Sequence, residues 1–269
     1  MIVAQISDLH IRVPGKLAYR VVDTSDFLRR AVARLNVLEP AADIILATGD
    51  LTDAGDPAEY AHLRELLAPL RAPVYVVPGN HDHRDELRNG FGASYLPRAG
   101  HLSYVIEKSP LRIIALDSTA PGEEGGHIDD ERARWLEERL AEDSRPTMIA
   151  MHHPPFTTGL WGMDRLGFVG LESFGAVVAR HRHVVRITAG HIHRSIVANA
   201  FGTVVTVAPS VAHQLTLELR PEVRATFSLE PPGFLLHQFE SGALVTHVAT
   251  FGDYEGPFPF REASGEFLR

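Results

Sequence analysis

Asp8, His10, Asp50, Asn80, His81, His152, His191 and His193 are the residues of this chain best suited to chemistry. They fall in five short stretches: Ser7-Asp8-Leu9-His10, Gly49-Asp50, Gly79-Asn80-His81-Asp82, His152-His153-Pro154 and Gly190-His191-Ile192-His193. Any one stretch has an ordinary reading, since Asp after Gly is a common turn residue and His-x-His can be an exposed strand edge. The set is harder to dismiss. Asp8 and His10, like His191 and His193, are two residues apart, which in extended chain places both side chains on one face. Leaving His81 aside, these are seven donors, and a single zinc takes about four. They suit two metals about 3.5–4 Å apart that share one carboxylate. Asp50, lying between the other stretches in sequence order, is the natural bridge. Two such ions bind both non-bridging oxygens of a phosphate and hold a hydroxide in line with the leaving group. The nucleophile is then a metal-bound hydroxide, and no Ser or Cys is required.

The stretches need elements to position them. Ile2–Ile6, Asp43–Ala47, Val74–Val77, Arg112–Leu116, Thr147–Ala150 and Val184–Ile187 are short apolar runs, each closed by a polar, Gly- or Pro-containing stop, and read as buried strands. Five of them end at a metal-ligand type. Helical patterns lie between: Asp26–Leu38, with Phe27, Ala31, Leu35 and Leu38 on one face; Pro57–Leu67; and Asp129–Leu140, which should bury Trp135, Leu136 and Leu140. Strand–helix alternation predicts an α/β core with βαβ units, and ligands of such sheets collect at the carboxyl ends of the strands. After Ile196 the helical pattern stops. Val204–Val207, Phe234–Phe239 and Leu244–Phe251 read as strands, the last two joined as a hairpin at Ser241-Gly242. Residues 1–196 are therefore expected to form the catalytic core. Residues 197–269 are expected to add core strands and a small C-terminal cap.

Composition narrows the function classes. A chain of 269 residues with 45% apolar content suits one large domain with a normal core. A formal net charge of −8 supplies no basic surface for nucleic acid. The absence of cysteine excludes disulfides and thiolate-bound metal. No apolar run approaches a membrane span, and the Met1–Ile6 start lacks the layout of a signal peptide, so a soluble cytoplasmic protein with no membrane partner is expected.

The five stretches, in this order, resemble the signatures of the calcineurin-like metallophosphoesterases. The likeness is closer still to the bacterial class III cyclic-nucleotide phosphodiesterases and the related glycerophosphodiesterases. Gly49–Tyr60, Leu116–Leu140, His152–Asp164 and the Gly256-Pro257 pair extend it over most of the chain. The resemblance implies a four-layer αββα sandwich. It implies two metal ions, iron, manganese, zinc or cobalt, with Asp8, His10 and His193 on one, Asn80, His152 and His191 on the other, and Asp50 between them. It also implies that His81 faces the phosphate and protonates the leaving oxygen, oriented by Asp82. Tyr19 and His213 match substrate-pocket positions of the glycerophosphodiesterases, with an ordinary loop Tyr and an ordinary His as the alternative readings. His153, before Pro154-Pro155, reads as a structural partner of its loop.

The expected reaction is hydrolysis of a small phosphodiester, either a glycerophosphodiester or a 3′,5′-cyclic nucleotide. A phosphomonoesterase or protein phosphatase is the alternative within the superfamily. A metal-free interaction scaffold is a further alternative, which loss of the ligands or of His81 would have favoured. The Pro155–Leu171 loop, Gly- and Trp-containing here, departs from the pattern, the cap differs between the two subfamilies, and these segments set the pocket. Aromatics from Phe201 onward, namely Phe227, Phe234, Phe239, Phe251, Tyr254, Phe258 and Phe260, exceed what a core complete by His193 needs. They predict a homo-oligomer built from dimers.

Overall fold

The computed structural model describes residues 1–91 and 94–268. Two sheets face each other. The first has the strand order Ala243–Thr250, Gly233–Glu240, Ile2–Ile6, Ile44–Thr48, Val74–Val77. The second has the order Ile196–Ala200, Thr203–Val207, Val184–Ala189, Thr147–Ala150, Arg112–Ala115, Tyr104–Ile106. In each sheet the strands that carry the site are parallel, and antiparallel strands are added at the margins. The expected four-layer αββα sandwich is the fold found. The central strands of both sheets are nearly continuous buried runs rich in Ile, Val, Leu and Ala, as strands covered on both faces require, while the marginal strands Ile196–Ala200 and Ala243–Thr250 are partly exposed.

Side-chain alternation builds the layers. Ile113, Ala115, Met148 and Ala150 join the first sheet and the helices Thr24–Asn36, Pro57–Leu67 and Arg84–Phe91 in one core. Ile114, Leu116, Ile149 and Met151 point the other way, into a second core with the helices Asp130–Ala141 and Leu171–Arg180. Between the sheets runs a buried polar strip. The Gln5 side-chain amide donates to Thr48 Oγ1 (2.8 Å), and its carbonyl oxygen accepts from Thr188 (2.5 Å) and lies 3.0 Å from His237 Nε2.

Several boundaries move. The first helix begins two residues earlier than expected because Asp23 caps it, accepting from Asp26 N at 3.0 Å. It buries Leu28 and Val32 with Ala31 and Leu35, while Phe27 is only partly buried against Ala18, Val22 and Ala212. Trp135, expected in the core, is half-buried and lies edge-on to His101. Among the C-terminal aromatics, Phe234, Phe239 and Phe251 complete the first core, and Phe201 sits edge-on to Phe174. Tyr254, Phe258 and Phe260 lie exposed on the tail. No helix among the described residues is long and apolar enough to cross a membrane.

Candidate metal centre

All five stretches emerge at the carboxyl ends of parallel strands, at one pole of the sandwich, and main-chain bonds tie the loops together. Asp8 N donates to Gly49 O (3.1 Å), His10 N to Asp50 O (2.9 Å) and Gly190 N to His152 O (2.9 Å). The two sheets are joined there as well, by His191 N donating to Asp8 Oδ1 (2.9 Å) and by His152 Nδ1 at 2.8 Å from Thr48 O. The packing leaves no room for side chains at the glycines before the ligands. A Cβ on Gly79 would collide with the main chain and carboxylate of Asp50, and one on Gly190 with Ser7 Oγ and Asp8 Oδ2. Asp8 (φ 55°), His10 (45°), Asp50 (47°), His191 (70°) and His193 (49°) all adopt left-handed backbone. Such conformations are uncommon outside Gly and cluster where surrounding structure holds functional groups in place.

The side chains converge as acceptors on acceptors. His152 Nδ1 must donate to the Thr48 carbonyl, so in the neutral ring the lone pair sits on Nε2. That nitrogen lies 3.2 Å from Asn80 Oδ1 and 3.4 Å from Asp50 Oδ1. His193 Nδ1 donates to the main-chain oxygen of His213 (3.0 Å), and His10 Nδ1 lies 3.3 Å from Asp53 Oδ1. Their Nε2 atoms are 3.1 Å apart, with His193 Nε2 3.5 Å from Asp8 Oδ1 and His10 Nε2 3.6 Å from Asp50 Oδ2. Asp8 and Asp50 are buried, and Asp8 Oδ2 has no hydrogen-bond partner among the described residues. Lone pairs and carboxylate oxygens facing one another under burial repel unless cations lie among them. The donor set therefore fits metal ions. Asp8, His10, Asp50 and His193 have ligand atoms close enough to share one ion; His152 and His191 stand together on the other side of Asp50 with Asn80.

Without metal the charges compensate among themselves. Burial pushes the Asp8 carboxyl up to about 6 against the pull of His152. Burial would depress His152, but the Asp50 carboxylate beside it raises it to about 9. Burial, reinforced by neighbouring imidazoles, holds His191 and His193 well below the usual histidine range, in the neutral form that ligates.

Residues 1–195 match the model of the calcineurin-like phosphoesterase family, a range that holds all five stretches. The chain belongs to this family. It is 38% identical to a probable glycerophosphodiester phosphodiesterase of Arcobacter nitrofigilis over 272 residues, spanning 100% of both chains. It is 37% identical to a cAMP/cGMP dual specificity phosphodiesterase of Mycobacterium tuberculosis over 219 residues, 79% of this chain and 68% of that one. Among solved structures it resembles a dimetal phosphatase from Danio rerio, with a TM-score of 0.65, 17% identity, and coverage of 92% of this chain and 95% of that one.

This phosphoesterase opens its candidate metal-ligand cluster into a cavity of about 280 Å³, lined by His10, Asp50, Asn80, His81, His191 and His193. Tyr19, His213, Phe227, Leu215, Met163 and Glu124 form its outer wall. Tyr19 and His213 thus reach the cavity, with ring centroids 5.1 Å apart, and Phe227 packs on both. Burial, with Asp53 and Asp50 nearby, pushes the Tyr19 phenol up to about 12; burial, reinforced by His10, lowers His213 to about 3. His153 spends both ring nitrogens on the fold, at 2.9 Å from Ser118 Oγ and 3.2 Å from Glu124 O.

One expectation needs correction in its route. Among the described residues, Asp82 makes no hydrogen bond to the His81 ring. Its carboxylate accepts instead from Gly79 N (2.9 Å), Leu51 N (3.1 Å) and Tyr60 Oη (3.0 Å), which fixes the loop. The His81 ring is oriented by the main-chain oxygen of Asp53, 2.8 Å from its Nδ1. Asp53 escaped the sequence reading. It lies three residues after Asp50, its carboxylate meets His10, and Arg12 pairs with it at 2.8 Å. Against the effect of burial, the hydrogen bond with His10 holds Asp53 below the usual carboxylate range. Glu124, on the cavity wall, was missed as well, since nothing in its sequence context sets it apart.

Proposed function

We propose that this chain hydrolyses small phosphodiesters at a binuclear metal centre. Asp8, His10 and His193 would hold one ion, Asn80, His152 and His191 the other, and Asp50 both. The observation that carries this reading is the convergence of lone pairs and carboxylates around Asp50, with an unpartnered oxygen on Asp8. Bound ions supply Lewis acidity to the phosphoryl oxygens and lower the pKa of a coordinated water.

The chain's own residues do the rest. His81 lines the cavity, and the Asp53 carbonyl holds its Nδ1–H, so the proton it can give away is the one on Nε2. In that position it stabilises charge on the phosphoryl group and protonates the departing alkoxide, help typically worth about 10²–10⁴-fold. Tyr19, His213 and Phe227 wall the entrance and limit the size of what enters.

A diester is favoured over a monoester. No lysine or arginine lines the cavity among the described residues, and Glu124 adds a carboxylate. A monoester dianion would find no fixed cation there besides the metals, whereas a diester carries a single negative charge. A glycerophosphodiester is favoured over a cyclic nucleotide by the whole-length similarity to a protein so named. The proposal includes cytoplasmic residence and a dimer built through residues 197–269, which cell fractionation and light scattering test. The function itself is tested by comparing kcat/KM on glycerophosphoethanolamine, cyclic AMP and p-nitrophenyl phosphate after loading with manganese, zinc or cobalt. The reading requires the first substrate to lead. A preference for the monoester would contradict it.

A further inference from the structure

Arg112, Arg132 and Arg186 are the buried arginines among the described residues. Arg112 reaches Glu107 at 3.1 Å, and Arg132 reaches Asp129 at 3.0 Å. Arg186, only 8% exposed, has no carboxylate within ion-pair distance among the described residues. One of its terminal nitrogens donates to the Leu244 carbonyl (3.0 Å), and its Nε has no partner among the described residues. A guanidinium presents five N–H donors, and burying its charge without an acceptor is costly.

The Arg186 side chain lines a cavity of about 240 Å³ where the strands Ile196–Ala200 and Thr203–Val207 of one sheet face Gly233–Glu240 and Ala243–Thr250 of the other. Ser195, Thr206 and Thr246 line the same space with Leu235 and Val248; the Thr206 hydroxyl bonds to Thr188 Oγ1 (3.0 Å) and that of Thr246 to His237 Nδ1 (2.9 Å). The cavity shares no lining residue with the metal centre.

We propose that this cavity is a second ligand site, which binds a phosphoryl group, as inorganic phosphate or as a small phosphomonoester. A planar guanidinium fork takes two phosphoryl oxygens in parallel, and the Ser195 hydroxyl serves a third. The anion supplies the charge that Arg186 lacks from the protein. The site is independent of the reaction assigned to the metal centre.

Equilibrium dialysis of the metal-loaded protein with labelled inorganic phosphate tests it. The wild type takes up one more phosphate per chain than Arg186→Met, which fills the same space without charge. Both hydrolyse bis(p-nitrophenyl) phosphate alike. In phosphate-free buffer Arg186→Met melts no lower than wild type; added phosphate raises the wild-type Tm beyond any shift seen in the variant. Ser195→Ala, a substitution at an exposed position, weakens the extra site about 3–10-fold and serves if the methionine variant does not fold. Glycerol 3-phosphate in place of phosphate separates the two sources: tighter extra uptake marks an organic monoester, weaker uptake the free ion. Equal uptake by wild type and both variants overturns the proposal. So does extra uptake that never saturates, which marks an adventitious ion only.

Discussion

His152 and His193 each commit one ring nitrogen to a main-chain oxygen, and His10 commits one to a carboxylate, leaving three lone pairs aimed at Asp8, Asp50 and Asn80. Imidazole orientation by such partners typically changes metal affinity about 10–100-fold. Asp53→Ala, which removes the carboxylate from His10 and keeps the carbonyl on His81, is expected to lose affinity in that range in a metal titration. Unchanged affinity would show that the Asp53 carboxylate serves only Arg12. For His81→Ala the expectation is retained metal with activity lost mainly on alkoxide leaving groups, and less on p-nitrophenolate, which departs without a proton. Equal loss on both would confine His81 to charge stabilisation. The residues of the cluster were legible because Asp, Asn and His stand where apolar strands end. The second layer was not. Asp53 meets His10 only through the folded loop, His213 orients His193 with a main-chain oxygen that any residue carries, and the Asp82 carboxylate is drawn to amides by the turn Gly79–Asp82.

The elements hold this cluster by close main-chain approach and by the polar strip beneath it. Gly79 has no positive φ, so its requirement is purely steric, and Gly79→Ala presses on Asp50. Overpacking of this kind costs about 1–3 kcal/mol, and the variant is expected to bind fewer than two metals per chain while its circular dichroism stays native. Normal metal content would show that the loop can yield. The strip makes a pH prediction. Burial, with Arg186 adding to it, lowers His237 to about 3, and its ring lies 2.9 Å from Thr246 Oγ1. The unfolded chain protonates His237 near 6.5, so between that pH and about 3 the unfolded state binds the extra proton. The stability contribution is full above 6.5 and falls as pH drops towards 3, by up to about 1.4 kcal/mol per pH unit. Metal-free His237→Gln should therefore lose roughly 2 kcal/mol less than metal-free wild type between pH 7 and pH 5 in urea unfolding. Equal losses would contradict the buried neutral ring. The strands were legible from their β-branched runs. The helix Arg84–Phe91 was not, because Leu87 is its one buried residue and no apolar period exists to read. Leu171–Arg180 follows directly on the Pro155–Gly170 segment, which holds only one helical turn (Trp161–Asp164) and a two-residue strand (Phe168–Val169), and its short apolar stripe is hidden by that context.

At the scale of the molecule, one pole carries chemistry and several segments carry exposed apolar side chains. Leu17, Tyr19 and Val21 on one loop are exposed, as are Leu217, Leu219 and Leu229 between Leu215 and Gly233, and Phe258 and Phe260 on the tail. Such surface on one chain fits pairing with a second copy. Light scattering is expected to give at least a dimer at micromolar concentration, and Phe258→Ser with Phe260→Ser to shift it towards monomer. A wild-type monomer with full activity would remove the tail from the account. The central claim remains the binuclear centre around Asp50. Its most direct test is to titrate metal-stripped protein with manganese while following bound metal and hydrolysis of a glycerophosphodiester together, in wild type and in Asp50→Ala. The account predicts that wild-type activity rises with the second equivalent bound, and that Asp50→Ala neither holds two ions tightly nor turns over. Full wild-type activity with one ion or none, or two tightly held ions in Asp50→Ala, would contradict it.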